Sequence, residues 1–254
     1  MGFLSFLDPV MDVLLGWTLY LPPFWGIILI SFLIALLITL CYKWFTDQDL
    51  MKRLKEELKA FQKEMKELKD HPDKAMEVQK KAMETNMKYM GQSLKPTLVT
   101  FIPIILIFGW LNAHYAFEAL HSNEEFTTAL HLKEGVVDGI VKLQVPDGLT
   151  LLNDVEQKFA AGKAEWALKG ILGEYVLQYS FDNKSFSKKI IITEDKKYEE
   201  PVLAVDDEKV KSIEVGNKKL IVLNLFGWKL GWLGSYIILS IIFSMSLRKL
   251  MKLY

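Results

Sequence analysis

Three long uncharged, mostly apolar runs alternate with two charge-rich stretches, and the period of the pattern changes between them. Residues 24–42 read FWGIILISFLIALLITLCY, 19 positions without a charge. Residues 98–115 and 230–247 are comparable runs. A helix needs about 20 apolar residues to cross the hydrocarbon core of a bilayer. The pattern therefore predicts transmembrane helices over 24–42, 97–116 and 227–247. Trp25, Trp110, Trp228 and Trp232 fall near the expected ends, where amphipathic rings settle at headgroups. Pro103 lies inside the second run and is positioned to kink it.

Between the first two runs the period is helical. Thr46-Asp47-Gln48-Asp49 has the form of a capping box with Thr46 as N-cap. Leu50, Leu54, Leu58, Phe61, Met65 and Leu68 then recur at heptad spacing. His71-Pro72-Asp73 interrupts the seam, because proline lacks the helical N–H and restricts the residue before it. A second seam follows at Met76, Met83, Met87, Met90 and Leu94. Arms over 47–69 and 73–95 suggest an antiparallel coiled-coil hairpin within residues 43–96. Core is the preferred reading of the methionine-rich arm. An adaptable binding surface is the other, since methionine suits both.

After the second run the period falls to two. Strands are expected over 126–132, 137–145, 165–169, 175–181, 187–193, 202–205, 210–215 and 219–223, separated by turn residues such as Pro146-Asp147-Gly148 and Gly216-Asn217. Regular short strands over residues 117–226 suggest an immunoglobulin-like all-β sandwich.

Composition sharpens this picture. Lys plus Arg and Asp plus Glu are both 31, a balance that argues against a free-standing nucleic-acid binder. One cysteine excludes an intrachain disulfide and a cysteine-based zinc cluster. Residues 1–23 hold Asp8 and Asp12 but no Lys or Arg, so the first run is expected to be a retained span and not a cleaved signal. Lys43, Lys52, Arg53 and Lys55 follow it, Lys95 precedes the second run, and Arg248, Lys249 and Lys252 follow the third. Basic flanks mark the cytoplasmic side. The expected topology has an amphipathic segment 1–23 outside, the hairpin inside, the β domain outside and a cytoplasmic tail 248–254. Asn183-Lys184-Ser185 is then a candidate glycosylation sequon at Asn183. His121 and His131 lack metal-ligand spacing, and no nucleophile–base pair stands out, so neither an enzyme nor a cofactor is expected.

Polar residues inside the runs share a depth. Thr39 and Cys41 with Lys43 at the mouth, Thr97 and Thr100, and Ser240 and Ser244 all lie in the expected cytoplasmic halves. Ser and Thr often bond to their own helix or glue helices together. Agreement across three helices favours a shallow groove open to the cytoplasm.

The strings YKWFTDQDLMKRLKEELK (42–59), QKKAMETNMKYMGQSLKPTLVTFIPIILIFGWLN (79–112) and FGWKLGWLGSYIILSIIFSMSLRKLMK (226–252), in this order of span, hairpin and two spans, resemble the YidC-type insertase superfamily. That superfamily includes the insertase subunit of the endoplasmic-reticulum membrane protein complex, and its archaeal YidC-like branch is the most similar. The resemblance implies a multi-pass cell-membrane protein that inserts hydrophobic segments from the cytoplasm without nucleotide or metal. It implies nascent membrane proteins and lipid as partners, with the ribosome, signal-recognition machinery and further membrane subunits as candidates. Met83, Met87 and Met90 become client-contact candidates on the hairpin. Bacterial members carry a positive charge within the groove, whereas no charge lies inside these runs and Lys43 is the nearest candidate. A membrane-anchored receptor or adhesin acting through the β domain is the alternative reading.

Overall fold

The computed structural model describes residues 8–68, 71–136 and 139–253, which divide into two compact units. One comprises the chain up to Gly109 together with Leu233–Tyr254, and the other is Trp110–Trp232.

The first unit is helical. Helix α1 (Asp8–Leu15) and a 3-10 turn (Gly16–Tyr20) lead into α2 (Pro23–Phe45), which begins on Pro23, where proline's missing N–H costs nothing. The buried side of α2 carries Ile27, Ile30, Ser31, Ile34, Ala35 and Tyr42, a stripe at helical spacing. Its end corrects the expected cap. Thr46 closes α2 by donating its hydroxyl to the Tyr42 carbonyl. Asp47 is the N-cap of α3 (Gln48–Glu67), accepting from Leu50 N–H at 3.0 Å.

Helix α4 (Pro72–Tyr115) joins what the sequence pattern separates. The expected boundary at 96/97 is no break: one 44-residue helix carries both the second arm and the second apolar run. Pro96 and Pro103 sit inside it. Hydroxyls of Ser93, Thr97 and Thr100 donate to the carbonyls of Tyr89, Ser93 and Pro96, adding bonds around the first proline. Helix α5 (Trp232–Leu250) is the third apolar helix. Mean hydropathies of 2.7, 1.8 and 1.4 over an 18-residue stretch of each make α2, α4 and α5 candidate membrane spans. Phe32 meets Phe243 and Phe108 meets Tyr236 edge-on, tying α5 to α2 and α4.

The second unit is sandwich-like. One sheet has the order β3-β5-β1-β9-β8, from β3 (Leu149–Leu151), β5 (Lys163–Gly170), β1 (Phe126–Leu132), β9 (Val210–Val215) and β8 (Val202–Ala204). The other has the order β4-β2-β6-β7, from β4 (Glu156–Lys158), β2 (Ile140–Gln144), β6 (Gly173–Phe181) and β7 (Lys184–Ile192). A separate hairpin pairs β10 (Leu223–Leu225) with β11 (Trp228–Leu230). Alternation decides the core: Leu177, Tyr179 and Phe181 are buried and their neighbours exposed. Trp166 and Tyr179 pack edge-on at its centre. β1 and β9 match their expected bounds. The expected strand 137–145 is shorter, with residues 137 and 138 outside the described part, and the expected 219–223 is replaced by the β10–β11 hairpin. Three-residue strands β3 and β4 are too short to show alternation.

Asp207 shows how loops are pinned to this sandwich. Its carboxylate accepts from Lys184 Nζ at 2.5 Å and from the backbone N–H of Lys209 and Val210 at 2.8 and 3.0 Å. The Lys184 ammonium first, then the two amides, hold the carboxyl well below the usual carboxylate range. A depressed folded value stabilises at neutral pH, and the contribution is lost as pH falls from the ordinary value near 4 towards the folded one. Asp207→Asn is expected to lower the thermal midpoint near pH 7, with the gap from wild type closing on acidification below about pH 4. Calorimetry of the detergent-solubilised chain reads this directly; a pH-independent gap would assign the loss to packing instead.

Candidate functional site

Helix α4 presents two unlike faces. Ala75, Val78, Ala82, Thr85 and Tyr89 are buried or half-buried at steps of 3 and 4, and the series continues through Ser93, Pro96 and Thr100. The other face is apolar and open. Met76, Met83, Met87, Met90 and Leu94 are 70, 62, 67, 52 and 53 % exposed. The methionine seam is therefore not core. The inward seam is built from smaller residues, which a search for large apolar repeats passes over. In α3, Met51 and Leu54 are buried, whereas Leu58, Phe61, Met65 and Leu68 are only partly so.

The open face does not stop at the membrane run. Met83, Met87, Met90, Leu94, Leu98, Phe101 and Ile105 follow one another at steps of 4, 3, 4, 4, 3 and 4, and all are exposed. At about 1.5 Å per residue this is a track roughly 33 Å long on a single helix. It carries no polar residue and joins the methionine arm to the outward face of an apolar span.

The inward face of α4 lines a cavity of about 190 Å³ with Ile38 and Tyr42 from α2 and Arg248 from α5. Tyr89, Ser93, Pro96, Thr97 and Thr100 are the α4 contribution. The Tyr42 hydroxyl shares hydrogen bonds with the Ser93 and Tyr89 side chains. The Arg248 guanidinium lies 4.8 Å from the centre of the Tyr42 ring. Such a cation–π contact contributes about 0.5–2 kcal/mol and holds the charge at the cavity wall. Three helices thus bring one cation and several hydroxyls to a common polar hollow, where an anionic or strongly hydrogen-bonding group could be accommodated.

The expected groove residues are divided by this geometry. Thr97 and Thr100 line the cavity. Thr39 is buried beside it in sequence but donates to the Ala35 carbonyl at 2.6 Å and is not part of the lining. Cys41 is half-buried and Lys43 exposed, and neither lines the cavity. Ser240 donates to the Ile237 carbonyl at 3.0 Å and bonds the Tyr236 side chain, which is the local-bonding role for serine in such helices. Ser244 is half-buried and is not part of the lining. Arg248 is the charge that the sequence reading misses. It is the first residue after the third run, in the expected tail, yet it is still in the last turn of α5. Of the ring residues expected at span ends, Trp25 and Trp228 are exposed, whereas Trp110 and Trp232 are buried in protein. Among the described residues no group of His, Cys, Asp or Glu converges as a metal site.

A family model described as integral membrane protein EMC3/TMCO1-like matches residues 8–150, more than half of the chain. The chain belongs to the EMC3/TMCO1-like integral membrane family. No curated protein and no solved structure matches it. The EMC3/TMCO1-like match takes in α1 to α4, including the whole open face of α4 and its part of the cavity, and ends in β3. The family lies within the broad YidC-type insertase superfamily, which supports a general role in membrane-protein insertion or biogenesis. Membership and three apolar helices make this a multi-pass membrane protein.

Proposed function

We propose that the chain is an insertase of the archaeal YidC-like type, moving hydrophobic segments with short polar ends from the cytoplasm into the bilayer without nucleotide or metal. In this reading the N-terminus and the immunoglobulin-like β domain are outside, and α3 with the first half of α4 projects into the cytoplasm as a hairpin. The continuous apolar track on α4 is the observation that carries the proposal. A hydrophobic segment held by Met83, Met87 and Met90 finds no polar interruption on its way to Leu98, Phe101 and Ile105. Methionine suits this role because its flexible thioether adapts to varied apolar partners.

The cavity serves the polar end of the same client. Exposed backbone groups are costly in hydrocarbon, so a wet hollow under Thr97, Thr100 and Arg248 shortens the dry path. Energetics then limit the clients. Leu, Ile, Phe and Val each favour the centre of a membrane helix by about 0.3–0.6 kcal/mol, so about 20 of them supply on the order of 6–12 kcal/mol. One Asp or Lys opposes this by about 2.5–3.5 kcal/mol, so a tail with two or three charges approaches the limit. Arg248 offsets part of that opposition for acidic tails. Ribosome, signal-recognition machinery and further membrane subunits remain candidate partners on the cytoplasmic side.

Reconstitution tests the proposal. The purified chain in nucleotide-free liposomes is expected to raise protease-protected insertion of a short-tailed single-span client severalfold over empty liposomes. Insertion equal to that of empty liposomes would overturn it. Topology is tested separately in a Cys41→Ser background. Asn183→Cys, at the exposed turn between β6 and β7, is expected to label from outside intact cells. Asp73→Cys, at the start of α4, is expected to label only after permeabilisation. Labelling of residue 73 in intact cells would put the methionine arm on the wrong side for newly made chains.

A further inference from the structure

The β10–β11 hairpin turns through a backbone region that one of its residues disfavours. Leu225 pairs with Trp228 across the two-residue turn Phe226-Gly227, whose φ angles are +51° and +93°. Positive φ at both positions is the type I′ turn, which favours Asn, Asp or Gly. The same chain follows that preference at Asp182-Asn183, with φ of +51° and +59°. Among the described non-glycine residues with positive φ, which are Asn123, Ala161, Asp182, Asn183, Phe226 and Lys252, only Phe226 is aromatic. A bulky side chain is disfavoured in this backbone region. The Phe226 ring is nonetheless fully exposed, without cover from the described residues.

The remainder of the hairpin has two sides. Opposite residues of an antiparallel pair share a face, and so do alternate residues of one strand. Leu223, Leu225, Trp228 and Leu230 therefore form one wholly apolar face, and Asn224 and Lys229 form the other. Trp228 is 73 % exposed, and Leu223, Leu225 and Leu230 are half-buried. Asn224 Oδ1 accepts from Gly227 N–H at 3.1 Å, which holds the tip in shape. A lone two-stranded ribbon is marginal in water.

What covers this face follows from connectivity. β11 ends at Leu230 and the apolar helix α5 begins at Trp232, with Gly231 alone between them. One residue spans at most about 3.6 Å. The ribbon's base is thus tethered at the boundary of a membrane span, and its tip is about 10 Å farther along three strand residues. The headgroup region has a thickness of roughly 5–8 Å on each side of the hydrocarbon.

We propose that the β10–β11 hairpin is seated in the bilayer interface, with Phe226 and the Leu223, Leu225, Trp228 and Leu230 face among lipids at the N-terminal end of α5. Asn224 and Lys229 face water and headgroup phosphate. Aromatic rings favour that layer, and lipid supplies the burial that offsets the strained turn. The proposal needs only an integral membrane protein and is independent of insertase activity.

The test uses the full chain in phosphatidylcholine–phosphatidylglycerol vesicles, with trifluoromethyl-phenylalanine at position 226 or, as a solvent control, at position 183. Dissolved oxygen concentrates in lipid and a nickel chelate stays in water, so their relaxation of the fluorine signal reports depth. The oxygen-to-nickel ratio is expected to be at least fivefold higher at 226 than at 183. Equal ratios would overturn the proposal. So would a ratio at 226 that depends on the protein-to-lipid ratio, since that would indicate cover by a second copy. Because the probe is itself apolar, native Trp228 provides a second measurement. Its quenching by brominated lipid, read as the difference between wild type and Trp228→Phe, is expected to be substantial, and no difference would also overturn the proposal.

Discussion

Replacing Met83, Met87 and Met90 together by Ser is expected to weaken capture of hydrophobic segments by about a hundredfold while leaving the chain folded. The three side chains are 62, 67 and 52 % exposed, so truncating them removes little internal packing. Surface changes of this kind are usually within about 0.5 kcal/mol of neutral. Fully burying a methionine against a partner contributes about 1.5–3 kcal/mol. Side chains that begin partly covered contribute roughly 1 kcal/mol each, and about 3 kcal/mol corresponds to about two decades in affinity. Photo-crosslinkers at the same positions should capture nascent apolar segments. Crosslinks confined to α3 would show instead that the arms close on each other and that the exposed face is not a client surface. Leu98→Ser and Phe101→Ser, farther along the track, should spare capture and slow transfer into the bilayer, because they lie on the apolar span and not on the arm.

The apolar runs were legible in the sequence because length and absence of charge are strong signals, and α2, α4 and α5 carry them. Alternation was equally legible in β6, where Tyr175, Leu177, Tyr179 and Phe181 point one way. The register of the arm was not. A heptad search weights large apolar residues, and on α4 these are the exposed ones, while Ala75, Val78, Ala82 and Thr85 face inward. Burial on this helix is decided by what it packs against, a tertiary fact that periodicity cannot supply. The same limit explains Arg248. Counting charges within an apolar window excludes the residue that ends it, yet the helix continues past that residue and puts the guanidinium 4.8 Å from the Tyr42 ring. Serines at matching depth, in contrast, overstated the groove. Depth along a helix is readable from sequence, but the face on which Ser240 and Ser244 lie relative to α2 and α4 is not.

Arg248→Ala is expected to reduce insertion of clients with an acidic translocated tail by about tenfold and those with a neutral tail by less than about twofold. Two unit charges about 5 Å apart interact by about 3 kcal/mol at an effective dielectric near 20. Water in an open cavity and dissolved salt screen roughly half of this, and about 1.4 kcal/mol is a factor of ten. Arg248→Lys keeps the charge but loses the planar face that stacks on Tyr42, so an intermediate loss is expected. Arg248→Glu should reverse the preference and favour basic tails. Ser93→Leu with Thr97→Leu should lower insertion of both tail types, since it dries the cavity without changing its charge. Ser240→Leu with Ser244→Leu supplies the contrast. Neither residue lines the cavity and Ser240 already bonds its own helix, so insertion should change by less than about twofold. Two liposome assays with matched clients separate the cases. Equal loss for acidic and neutral tails in Arg248→Ala would show that the guanidinium holds α2 against α5 and does not receive the client's charge.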